Sequence, residues 1–311
     1  MYYSPAPLHI PDGFLTLTVS MICWVITALT LSAAISRSNR SLGERQIPLM
    51  GIMAAFIFAA QMINFPVPGG TSGHLLGGVL AAIALGPWTG MLVMTAVIAV
   101  QALLFQDGGL LVMGANILNM GLVTAAIGYG LYRASAGWNR TLKLTVVGIA
   151  AWLSVMAGAL LTALQLWLSG TSQLQIVIPA MLGVHALIGI GEALITVAAL
   201  TFILQTRPDL LGEDSASAQG SRGWVVAGTL VSLAVVLLSP LASADPDGLE
   251  RVAGDLGFIG KGSSAPYQLI PDYTLPILGQ THLSTILAGI IGLAVVGAII
   301  ILLGQGLKAK S

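Results

Sequence analysis

Long apolar runs alternate along this chain with short polar breaks. Crossing a hydrocarbon layer as a helix takes roughly 17–25 apolar residues, and runs of that kind lie near 15–36, 47–64, 88–105, 112–133, 144–168, 177–204, 223–241 and 283–304. A shorter apolar run, about 73–86, follows the Gly/Pro-rich stretch Pro66-Val67-Pro68-Gly69-Gly70-Thr71-Ser72-Gly73. A helix that short belongs inside a bundle, where other protein shields its backbone from lipid. The pattern predicts an all-α membrane protein of about nine transmembrane helices.

Charge placement orients the prediction. Cytoplasmic connections of membrane proteins carry an excess of Lys and Arg. Here Arg37, Arg40 and Arg45 fall in the first connection, and Arg133, Arg140 and Lys143 in the fifth. Arg207 and Arg222 flank the seventh, and Lys308 and Lys310 form the tail. With the short helix counted, all of these share one side, which sets the N-terminus outside and the C-terminus in the cytoplasm. Without it, the later basic connections change sides. Arg251 and Lys261 fall outside, in a loop that also holds Asp245, Asp247, Glu250, Asp255 and Asp272.

The segment 205–222 carries Pro208, Gly212 and Ser215-Ala216-Ser217-Ala218-Gln219-Gly220-Ser221 and reads as a flexible cytoplasmic linker. It divides a seven-helix unit, 8–204, from a two-helix unit, 223–311, whose helices flank an external loop, 242–282.

Composition agrees with lipid as the solvent. Of 311 residues, 56% are hydrophobic and 8% charged, where a soluble domain carries about 25% charged residues; mean hydropathy is +0.92. A formal net charge of zero leaves no broad basic surface for nucleic acid. The single cysteine, Cys23, excludes an internal disulfide framework and a Cys-rich zinc site. The first apolar run is preceded by Pro11 and Asp12 rather than by Lys or Arg, so it is expected to remain as a transmembrane helix rather than be cleaved as a signal peptide.

Ionisable groups at membrane depth are costly and therefore functional candidates. His9 precedes the first helix, and His74 ends the Gly-rich stretch on the same outer side. Two imidazoles placed there can share a metal ion, although histidines are also tolerated at interfaces with no ligand. Asn64, Asn116 and Asn119 add amides at helix ends or within helices, with interhelical hydrogen bonding as the alternative role. His185 and Glu192, nearly two turns apart, share a helix face; Glu192 is the acid deepest in a span, as structural glue or as part of an ion route. No His-Glu-x-x-His zinc motif and no Gly-x-Ser-x-Gly elbow occurs, and Gly260-Lys261-Gly262-Ser263 lacks the spacing and the cytosolic location of a phosphate loop.

At several of these stretches the chain resembles the CbiM/NikM family, the substrate-binding membrane components of energy-coupling-factor transporters for cobalt and nickel. The likeness rests on His9-Ile10-Pro11-Asp12-Gly13-Phe14-Leu15, Pro68 through Gly78, Leu85-Gly86-Pro87-Trp88, Gln101-Ala102-Leu103-Leu104-Phe105 and Asp107-Gly108-Gly109. It continues through Asn116 and Asn119 to Val184-His185 and Gly191-Glu192. The two-helix unit resembles the companion CbiN/NikN component of the PDGLE type, in Asp245-Pro246-Asp247-Gly248-Leu249-Glu250, Gly257-Phe258 and Pro271-Asp272-Tyr273. The resemblance implies a natural fusion of the two components.

It also implies a planar nitrogen site for Co²⁺ or Ni²⁺, the transported ligand. The donors would be an N-terminal amine at Leu8, the backbone nitrogen and imidazole of His9, and His74, with Asp12, Ser72, Asn64, Asn116, Asn119, His185 and Glu192 in support. Family members begin with Met where this chain has Leu8, so the expected mature start is position 8, from a leucine codon read as methionine; seven leading residues would otherwise convert the amine into a peptide nitrogen. The implied partners are a transmembrane coupling subunit and separate cytosolic ATP-binding subunits. A stand-alone metal permease or channel lined by His185 and Glu192 is the rival reading, and an intramembrane enzyme a remoter one.

Overall fold

The computed structural model describes residues 9–41, 43, 46–206 and 223–308. Leu8, the linker beyond Thr206, and Arg45, Arg207, Arg222 and Lys310 lie outside the described residues. The fold is mostly helical: α1 (Leu17–Ser41), α2 (Gln46–Gln61), α3 (Gly78–Leu85), α4 (Pro87–Val100), α5 (Met113–Asn116), α6 (Thr124–Ala134), α7 (Arg140–Leu168), α8 (Leu174–Thr206), α9 (Gly223–Leu238), α10 (Gly248–Asp255) and α11 (His282–Lys308). π-helical turns at Gln101–Phe105 and Ile117–Val123 prolong α4 and join α5 to α6. Among the described residues, six helices are long and apolar enough to cross a bilayer, and α2 is a shorter apolar one.

The short predicted helix exists, but only from Gly78. All eight residues of α3 are buried, because α4 and α6 close over it. Glycine makes that approach possible: a Cβ on Gly78 would lie 1.8 Å from Thr124 Oγ1, and one on Gly128 would lie 2.7 Å from Val79. Surrounded by protein, α3 has no need of a bilayer's length. The residues ahead of it do not join the helix. They form an antiparallel hairpin, β1 (Phe65–Val67) and β2 (Thr71–Gly73), that turns at Gly69 (φ 101°) and Gly70 (φ 70°), a backbone that favours glycine.

The helices α9 and α11 lie along α2. A Cβ on Gly292 would come within 2.0 Å of the Phe58 ring, and one on Gly228 within 2.6 Å of Ile52; close approach of this kind supplies the contact that apolar burial cannot supply in lipid. The outward face of α1 shows Leu17, Met21, Ile22, Val25 and Leu29. Segment 242–282, expected as a loop, is largely folded around α10, whose first turn is capped by Asp247 Oδ1 accepting the Glu250 N–H at 2.7 Å. One large core centres on α2, α3, α4 and α11. A smaller one joins Ile10, Phe14, Val112, Met181, Leu249 and Phe258, and so packs the N-terminal arm against the folded loop. At the far ends of α1, α4, α6 and α7 from that arm, the Arg37 guanidinium sits 4.4 Å over Trp88 and the Lys143 ammonium 5.0 Å over Tyr132.

Candidate metal centre

Two arms meet at the end of the bundle opposite those cations. The first is the N-terminal segment. The buried Asp12 carboxyl group accepts the N–H groups of Leu110, Leu111 and Val112 at 3.0, 2.9 and 3.1 Å, an arrangement that needs an acceptor with several lone pairs. Asn116 clamps Ile10 from both sides, accepting its N–H at 3.1 Å and donating to its carbonyl at 3.0 Å. With residues 10 and 12 fixed, His9 points inward and is buried. Its Nδ1 lies 3.2 Å from the Asp107 carbonyl and 3.6 Å from Asp107 Oδ1, while its buried Nε2 has no protein partner.

The second arm is the hairpin and the turn that follows it. Glu192, fully buried on α8, accepts the Leu76 N–H at 2.6 Å and the Gly77 N–H at 3.0 Å. Gln61 donates to the Leu76 carbonyl at 2.7 Å. The His74 ring, with Nδ1 3.0 Å from the Leu75 carbonyl, stands edge-on to that of His9, the centroids 5.4 Å apart at 76°.

Both rings open on one cavity of about 70 Å³, together with Asn116, Asn119, His185 and Asp247. Asn119 forms a reciprocal amide pair with Gln165, at 2.8 and 2.9 Å, and donates to Thr162, so it fastens the α5–α6 helix to α7. His185 Nδ1 is 2.7 Å from the Met181 carbonyl, and its ring lies where a Cβ on Gly248 would meet it, 2.9 Å away. Asp12, Ser72, Asn64 and Glu192 do not reach the cavity wall. Ser72 and Asn64 instead face the C-terminal loop: Ser72 donates through N–H to the Pro246 carbonyl and through Oγ to the Asp245 carbonyl, both at 2.8 Å, and the Asn64 carbonyl accepts the Ser243 N–H at 2.8 Å.

Three contributors were not among the residues singled out from sequence. Asp247 reaches the cavity wall from the C-terminal unit; burial, only partly offset by the Glu250 N–H, pushes its carboxyl well above the ordinary range. Asp107 stands behind His9. Tyr273 donates to Asp107 Oδ2 at 2.6 Å, and burial, then the nearby Asp107 charge, raises its phenol pKa well above the usual value. Asp107-Gly108-Gly109 and Pro271-Asp272-Tyr273 are visible as motifs, but their spacing of some 160 residues gives no sign that they touch.

Paired imidazoles in a small buried cavity suit a borderline transition-metal ion. Among the described residues no group of three or more His, Cys, Asp or Glu has metal-holding geometry, so an ion here needs donors beyond side chains of those types. The family described as "Cobalt uptake substrate-specific transmembrane region" (CbiM) matches residues 9–210. The chain belongs to this CbiM family. A second match, to the PDGLE domain, covers residues 222–309. A protein of Archaeoglobus fulgidus whose name assigns it to fused nickel transport (NikMN) is 36% identical, over 94% of this chain and 96% of its own length. The cobalt transport protein CbiM of Sorangium cellulosum is 33% identical over 66% of this chain and 94% of its own. The crystal structure of a transition metal transporter superposes with a TM-score of 0.59 at 33% identity, covering 68% of this chain and all of the other. With its six membrane-length apolar helices among the described residues and its membership of this family, the chain is a multi-pass protein of the plasma membrane.

Proposed function

We propose that this chain captures Co²⁺ or Ni²⁺ at the outer face as the substrate-binding component of an energy-coupling-factor importer. Metal transport is what the names of its relatives share. The single observation that carries the site is the meeting of His9 and His74, from separate arms, at 5.4 Å inside one buried cavity. The ion would be held by both imidazoles, the His9 backbone nitrogen and the amine of Leu8 as the mature N-terminus, a tetragonal nitrogen set suited to nickel and cobalt. A chelate through the His9 amide and its own ring closes only through Nδ1. Capture would therefore turn the ring, releasing Nδ1 from the Asp107 carbonyl and presenting Nε2–H in its place.

In this reading the seven-helix unit 8–204 binds the ion, and the two-helix unit 223–311, joined by the linker 205–222, closes the outer end. The N-terminus lies outside and the C-terminus inside. ATP hydrolysis falls to separate cytosolic subunits acting through a transmembrane coupling subunit. What weighs against a channel lined by His185 and Glu192 is the engagement of Glu192: both of its oxygens hold backbone N–H groups of the His74 arm rather than a path.

His74→Ala in the purified full-length chain should abolish stoichiometric, high-affinity binding of Ni²⁺ and Co²⁺ in calorimetry; binding retained at the wild-type level would reject the site. N-terminal sequencing of the mature protein tests the amine. A chain starting at Met1 that still binds nickel through an amine donor would reject position 8 as the start.

A further inference from the structure

Tyr273 belongs to the C-terminal unit, yet its phenol reaches the histidine of the N-terminal arm through one intermediary. The phenol donates to Asp107 Oδ2 at 2.6 Å and accepts from Gln101 Nε2 at 3.2 Å. Asp107 in turn faces His9 with its carbonyl at 3.2 Å and its Oδ1 at 3.6 Å. Oδ1 is buried with no hydrogen-bond partner, so the carboxylate keeps one acceptor in reserve beside the ring.

The backbone at Tyr273 shows how firmly this contact is imposed. Asp272 and Tyr273 both adopt left-handed conformations, φ 49° and φ 54°. For a bulky side chain that is an outlier, and such strain persists where the surrounding structure over-determines a position. The ring is locked as well, stacked on Phe105 at 4.7 Å and tilted against Phe58 at 6.1 Å. The π-helical turn Gln101–Phe105 supplies both Gln101 and Phe105, and irregular turns of this kind recur at functional sites.

We propose that Tyr273 is a positioning residue for metal capture: it fixes the Asp107 carboxylate so that Asp107 orients the His9 ring by accepting Nε2–H once Nδ1 is on the ion. This rests on the assignment of His9 and His74 as ligands. Ligand histidines are commonly held at the far nitrogen by a carboxylate or carbonyl, and loss of that partner costs 10–100-fold in metal affinity. Through Tyr273 the C-terminal unit thus supports the ligand histidine without the phenol itself touching the ion.

Calorimetry and the ligand-field absorption of bound Ni²⁺ on the full-length chain test this. Tyr273→Phe keeps the stacked ring and removes only the hydroxyl; it should lower affinity by about tenfold and shift the absorption band. Tyr267→Phe is the control. That phenol, in the same loop, donates to the Leu103 carbonyl at 2.9 Å and does not contact Asp107, so affinity and band should stay at wild type. Unchanged affinity or tighter binding in Tyr273→Phe would overturn the proposal. So would equal losses in both variants with the band unmoved, which marks loop docking alone. Wild-type binding by His74→Ala, measured alongside, would instead reject the ligand assignment on which the proposal stands.

Discussion

The arms that carry His9 and His74 are held in different ways. The N-terminal arm takes its side-chain anchors from the first unit: Asp12 lies on the arm and gathers three backbone N–H groups from residues 110–112, and Asn116 grips Ile10. From the second unit the Ser263 N–H donates to the Asp12 carbonyl at 2.8 Å, and Phe258 packs edge-on to Phe14. The His74 arm is divided between units. Glu192 reaches it from α8, while Ser72 and Thr71 bond the carbonyls of Asp245 and Pro246, and the Arg251 guanidinium donates to the Gly70 carbonyl at 3.2 Å. Both arms therefore meet the second unit, but the side-chain hydrogen bonds that hold the N-terminal arm come from the first unit, whereas those that hold the His74 arm are shared between the two. A buried carboxyl group serves as the anchor in both, because its two oxygens can satisfy several backbone donors that would otherwise be orphaned in an apolar setting.

Removing the anchors one at a time breaks the comparison where it is strongest. Asp12→Ala leaves three N–H groups unsatisfied, at about 1–3 kcal/mol each. A large fall in thermal stability and loss of metal binding should follow in detergent; an unchanged melting temperature would show that Asp12 does not hold the arm. Glu192→Gln is milder. The amide keeps one acceptor but turns an NH₂ toward the second N–H, which costs about 1–3 kcal/mol. Its metal affinity should fall by about tenfold, as read by calorimetry. Altered uptake with unaltered binding would restore the ion-route reading of Glu192. Arg251→Ala is the smallest. Its ion pair with Asp255, at 2.9 Å, is well exposed, at 39% and 59%, so stability should change by less than about 1 kcal/mol, with affinity close to wild type. A marked loss of affinity there would mean that the second unit's grip on Gly70 matters more than the buried bonds of Ser72.

Much of the fold was legible from local pattern. The long helices begin and end within a few residues of the apolar runs, and α3 is legible because counting the short run keeps the basic connections on one side. The hairpin at 65–73 was not legible, since two prolines and three glycines read only as a break; its pairing is fixed by Gly69 and Gly70 turning and by the neighbouring carbonyls of residues 245 and 246. Histidines 9 and 74 could be singled out as rare ionisable groups on one side. The roles of Asp12 and Asn119 were coarser: one proved an anchor for three amides, the other a partner for Gln165.

Hydropathy alone determined that this chain lives in lipid as a bundle of helices, because a backbone without water must satisfy its own hydrogen bonds, and a helix does so locally. Only the tertiary structure decided that residues 9, 74, 107 and 273 converge. That convergence depends on contacts between segments far apart in sequence, and no local periodicity encodes which buried polar group will find which partner.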